Sequence, residues 1–110
     1  MASPIIPNQS YVGSLTSYGD DDWYVLTLDN AYTVTFNMQY PLQETRYSYW
    51  ELYMYSSNDS SNSMMKNYYY GTETNTNSPP ISLNPGTYYI KIQDGNYFST
   101  STYTLTANVW

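Results

Sequence analysis

Three consecutive carboxylates, Asp20, Asp21 and Asp22, follow Gly19 and lead into the aromatic pair Trp23-Tyr24. Carboxylate oxygens in a loop suit a hard cation such as calcium, which takes about six to eight oxygen ligands. The run lacks the alternating spacing of an EF-hand loop, and aspartates beside a glycine also bond their own backbone in turns. The same residues therefore read as a candidate calcium site or as a structural turn. Asp22, nearest the following strand, belongs to either reading.

Tyrosine is the second feature, at 16 of 110 residues. Its ring is large and amphipathic, suited both to sheets and to contact surfaces. Alternation places Tyr49, Tyr53, Tyr55 and Tyr89 on one outward face, with Lys91 beside Tyr89, and Tyr68 and Tyr70 can extend it. Aromatic side chains are effective contact anchors, so this strip is a candidate ligand-binding surface for an extended polymer. The competing reading is cross-strand filler in a charge-poor protein. Tyr24, Tyr88 and Tyr103 are assigned to the core or its corners, with bonded hydroxyls. Trp50 is assigned to the core, and Trp23 lies on the face opposite Tyr24.

The chain has no histidine and no cysteine. It thus lacks the usual general base, the thiol nucleophile and the commonest transition-metal ligands. Two carboxylates alone can hydrolyse glycosides, but nothing in the spacing of Glu51 with Asp94, or of Glu44 with Glu73, recommends either pair. No catalytic residue is assigned, and the expectation is a binding domain rather than an enzyme. Three basic residues against nine acidic ones give a net charge of -6. That balance opposes binding to nucleic acid, whose phosphates need Lys and Arg, and to anionic membrane surfaces. No stretch approaches the ~18 apolar residues of a membrane-spanning helix.

The elements that must position these residues are strands. Good helix formers are scarce, whereas period-two alternation recurs in Tyr32–Tyr40, Trp50–Tyr55, Tyr88–Gln93 and Tyr103–Val109. Trp23–Leu28 is a weaker case, and short strands are expected at Tyr11–Leu15, Met64–Tyr70 and Pro80–Leu83. The inward set comprises Tyr24, Leu26, Leu28, Val34, Phe36, Met38, Trp50, Leu52, Met54, Ile81, Leu83, Tyr88, Ile90, Ile92, Tyr103, Leu105, Ala107 and Val109. About eight strands at this spacing point to an antiparallel β-sandwich. The whole chain, 1–110, reads as one domain, with 1–8 as a flexible leader or cloning scar and 72–79 as a mobile loop. No basic and apolar signal segment is read at Met1–Pro4.

Four segments together resemble the bacterial pre-peptidase C-terminal domain family. They are Gly13-Ser14-Leu15, Gly19–Tyr24, Trp50–Ser57 and Asn84–Ile92, followed by the closing Ser101–Thr106. They span nearly the whole chain in the family's order. The resemblance implies a β-sandwich of jelly-roll type, carried as a non-catalytic accessory domain by secreted bacterial hydrolases. Members accompany metallo- and serine peptidases, including the collagen-binding domains of clostridial collagenases, and others accompany polysaccharide-degrading enzymes. The implied partners are a covalently linked hydrolase domain and a polymeric protein substrate. A polysaccharide ligand, or a ligand-free secretion or maturation spacer, are the alternatives. The family's collagen-binding branch takes calcium ligands from an acidic segment before the first strand, whereas Ser3–Ser10 here contains no carboxylate.

Overall fold

A computed structural model describes residues 2–14, 21–40, 49–59, 61–70, 75–94 and 102–110. They form β1 (Ser3–Ile5), β2 (Ser10–Ser14), β3 (Asp21–Leu28), β4 (Tyr32–Gln39), β5 (Tyr49–Ser56), β6 (Met65–Tyr70), β7 (Asn75–Asn77), β8 (Ile81–Leu83), β9 (Gly86–Asp94) and β10 (Thr102–Val109). One sheet runs β1-β3-β9-β5-β6 and the other β2-β10-β4-β7, with β8 also paired to β4. All pairs are antiparallel except β1 with β3. The chain is the all-β sandwich that the alternation predicts.

Alternation decides the core. Successive strand residues point to opposite faces, so Tyr24, Leu26 and Leu28 on β3, Trp50, Leu52 and Met54 on β5, and Tyr88, Ile90 and Ile92 on β9 turn inward from the first sheet. Val34, Phe36 and Met38 on β4 meet them with Tyr103, Leu105 and Ala107 on β10. Ile81 and Val109 are only partly buried and pack at the margin of this core. Ile5, Tyr40 and Tyr69 join it beyond the expected inward set.

Two expectations need correction. Residues 3–8 are not a flexible leader. Ser3–Ile5 pairs in parallel with Tyr24–Leu26, and Ile5 is buried. Pro4 is tolerated because β1 is an edge strand, where a missing N–H costs no ladder bond on the open side. Asn8, at φ 66°, turns the chain into β2, with its N–H on the Ala107 carbonyl at 2.7 Å and its side-chain oxygen accepting from Val109 N–H at 3.0 Å. Nor is the 72–79 stretch simply a loop: Asn75–Asn77 pairs with β4, and Ser78 is buried, while 72–74 lie outside the described residues.

Candidate functional site

The outer face of the first sheet gathers the chemically expressive side chains. With Trp50, Leu52 and Met54 inward, Glu51, Tyr53 and Tyr55 must point outward. Register then fixes their neighbours across β3, β9, β5 and β6. One row runs Trp23, Lys91, Tyr53, Lys66; the next runs Val25, Tyr89, Tyr55; the row on the other side runs Asp21, Gln93, Glu51, Tyr68. The backbone register also sets Tyr49 opposite Tyr70 at the end of the β5–β6 pair.

Tyr53 is the centre of this arrangement. Its ring lies 6.4 Å from that of Tyr55, nearly parallel at 18°, and Trp23 stands 5.8 Å from Tyr55 at 33°. The Lys91 ammonium is 4.7 Å from the Tyr53 centroid, 5.6 Å from Trp23 and 6.0 Å from Tyr55. Lys66 approaches Tyr53 from β6 at 5.1 Å and Tyr68 at 4.9 Å. Cations over aromatic rings are attracted by the ring quadrupole. Hydrogen bonding to the Tyr68 and Tyr53 hydroxyls raises the Lys66 pKa well above its ordinary value, so it is charged at any physiological pH.

Glu51 is on the same face yet only 8% exposed. The Tyr53 hydroxyl donates to its carboxylate, and the Gln93 amide donates at 2.9 Å. Burial, and then this bond to Glu51, raise the Tyr53 pKa. The one carboxylate at the centre of the face is therefore engaged internally.

The face thus brings together Tyr53, Tyr55, Tyr89, Tyr68 and Lys91 from the sequence reading. It adds Trp23 and Lys66, which that reading did not assign to the strip. Lys66 shares parity with Tyr68 and Tyr70 along β6, a signal present in the sequence. Trp23 joins only through the β3–β9–β5 order, which no local pattern reveals.

The aspartate run does something different. Asp20 lies outside the described residues. Asp21 is exposed opposite Gln93, at one corner of the aromatic face. Asp22 has the other parity, and its carboxylate accepts the Tyr103 hydroxyl proton at 2.5 Å. The Tyr103 oxygen is in turn 2.7 Å from the Tyr24 hydroxyl. Burial first, and then the bonds to Asp22 and Tyr24, push the Tyr103 pKa far above the ordinary tyrosine range. Asp22 thus serves a hydrogen-bonded link between the two sheets. Among the described residues, no three acidic side chains converge as a cation site requires.

The outer face of the second sheet has another character. Its described positions are Ser, Thr, Asn, Gln and Val without a charge, joined by bonds such as Ser10–Thr106 at 2.9 Å and Asn37 to Asn75 and Asn77 at 2.7 and 2.9 Å. Apart from the terminal Trp110, the exposed aromatic rings Trp23 and Tyr68 and both lysines belong to the first sheet's outer face, which makes that face the candidate site.

No protein-family model and no curated protein matches the chain. Among solved structures, it is similar to the pre-peptidase C-terminal domain of a collagenase from Bacillus anthracis, with a TM-score of 0.72 and 20% sequence identity. The alignment covers 98% of this chain and 95% of that one. The likeness extends through both sheets, and the protein has the β-sandwich fold of that pre-peptidase C-terminal domain.

Proposed function

We propose that the protein is a non-catalytic accessory domain of a secreted bacterial peptidase, and that it holds the linked catalytic domain against a polymeric protein substrate. The observation that carries this reading is the cluster of Trp23, Tyr53 and Tyr55 with Lys66 and Lys91 on one sheet face. The fold shared with a collagenase accessory domain supports it. So does a composition without histidine or cysteine. The mechanism is affinity without chemistry. Binding at the face raises the effective concentration of substrate at the tethered enzyme. An open sheet face lacks deep pockets, so affinity per domain is weak, and the gain comes from tethering.

A second reading is a carbohydrate-binding module, favoured by the tilted Trp23–Tyr55 pair, since exposed rings also stack on the apolar faces of sugars. Retention on insoluble polymers separates the two. The protein and its Tyr53→Ala/Tyr55→Ala variant are incubated with fibrous collagen, casein, cellulose, xylan and chitin, with calcium and with chelator. Retention on a protein polymer, lost in the variant while thermal unfolding stays put, is the expected result. Retention on a polysaccharide alone selects the second reading. Retention on none points to a spacer or maturation domain. Loss of retention in chelator would show that binding depends on a divalent cation.

A further inference from the structure

We propose that the aromatic face selects acidic stretches of its polypeptide ligand, seating Glu or Asp carboxylates at Lys66 and Lys91, which flank the Tyr53 ring from β6 and β9. The inference rests on the reading of this face as a peptide-binding surface and names what it recognises.

The protein is acidic overall, with three basic residues, and two of these stand over the same ring. In a chain of net charge -6, both lysines are thus gathered at one ring on one sheet face, where an anionic side chain can meet them. Ring faces attract an ammonium group without neutralising it. The charges of Lys66 and Lys91 therefore remain available to a ligand. Of the two carboxylates on this face, Glu51 is buried under the Tyr53 hydroxyl and the Gln93 amide, and Asp21 stands at the corner, opposite Gln93 rather than beside the Tyr53 ring. Both ammonium groups are held in place by rings, so less side-chain freedom is lost when an anion docks.

Spacing argues for a polypeptide. Same-side residues of an extended strand repeat at about 6.6 Å, close to the 6.4 Å between the Tyr53 and Tyr55 rings. A carboxylate at Lys91 would place the side chain two residues along over Tyr55 and Trp23, where an apolar or aromatic group fits. The preferred motif is thus an acidic residue followed two positions later by an apolar one.

The test uses the intact protein and immobilised random copolymers of Glu and Tyr, the same copolymer with its carboxylates amidated, a Lys–Tyr copolymer, and polygalacturonate. Binding to the Glu–Tyr copolymer should fall about tenfold or more on amidation, and equally in the Lys66→Met/Lys91→Met variant, as expected for a lost charge-assisted contact. It should also weaken with added salt, and circular dichroism of the variant should match the parent. Equal binding to the acidic and amidated copolymers would overturn the inference and leave the peptide-binding reading standing. Binding to polygalacturonate alone, dependent on the same lysines, would overturn the choice of a polypeptide. Failure on every copolymer and on every protein polymer would remove both.

Discussion

Tyr103 on β10 lies directly across from Gly13 on β2, and its ring covers the glycine so closely that a Cβ there would meet the Tyr103 Cζ and hydroxyl at 2.5 Å and the Tyr24 hydroxyl at 2.6 Å. The absence of a side chain at Gly13 is what lets the two tyrosines meet. Tyr24 belongs to the first sheet and Tyr103 to the second, so their hydroxyl bond, anchored on Asp22, ties the sandwich together. A phenol has one proton to give. Tyr103 donates its one hydroxyl hydrogen bond to Asp22, so Tyr24 is the donor to Tyr103. Gly13→Ala should destabilise the fold by about 1–3 kcal/mol, the usual cost of overpacking. A lower urea midpoint with an unchanged slope would show it. A midpoint equal to the parent's would mean that the tyrosines can move aside freely.

Stability should also fall at alkaline pH. Burial raises the pKa values of Tyr24, Tyr69 and Tyr103 above the ordinary 10.0. Above that value the unfolded chain releases protons that the native state keeps, so unfolding becomes more favourable as pH rises. The contribution is complete below pH 10 and is lost progressively above it. Each tyrosine that keeps its proton adds a slope of about 1.4 kcal/mol per pH unit. Urea midpoints at pH 9 and pH 11 measure the loss, and tyrosinate absorbance should rise together with unfolding for these three rings. A flat stability profile across that interval would contradict their burial.

The facing of each long strand was legible because period two survives without knowledge of partners. Tyr53, Tyr55, Tyr89 and Lys91 fell on one side from alternation alone. The parts that were not legible depend on register between distant strands. Lys66 reaches Tyr53 only because β5 pairs β6 at that position, and Trp23 reaches Tyr55 only across β9. Strands of three residues carry no period to read, and β1 and β7 exist because β3 and β4 offer edges to them. Glu51 reads as a solvent-facing acid by parity, and its burial follows from a neighbouring tyrosine folding over it.

Ser78 closes a gap that this short-strand construction leaves. β7 pairs with β4 at Asn37–Gln39 and β8 pairs with it at Tyr32–Val34, leaving Phe36 between the two ladders. The Ser78 hydroxyl accepts the Phe36 N–H at 2.8 Å, and the Ser78 N–H donates to the Phe36 carbonyl at 3.0 Å. The buried Tyr69 hydroxyl donates to the same carbonyl at 2.8 Å. Ser78→Ala should cost about 1–3 kcal/mol, because it leaves a buried donor unpaired, whereas Ser78→Thr keeps the hydroxyl and should cost less. Equal stability of the Ala variant would mean that water reaches Phe36.

Ile5 tests whether the first strand belongs to the fold. It is 5% exposed, opposite Leu26, and it sits on a strand whose other residues are exposed. Its side chain therefore carries most of what β1 contributes to burial, with Asn8 fixing the chain behind it. Ile5→Ala should cost about 2 kcal/mol, the low end for such a truncation, because an edge strand can collapse onto the space. Pro4→Ala, on the exposed side, should cost far less. Both changes lie away from Tyr53, so retention on a polymer should be unchanged in either variant below its unfolding temperature. An unchanged urea midpoint for Ile5→Ala would return residues 3–8 to the status of a leader. A loss of retention without a loss of stability would extend the binding face to the β1 edge.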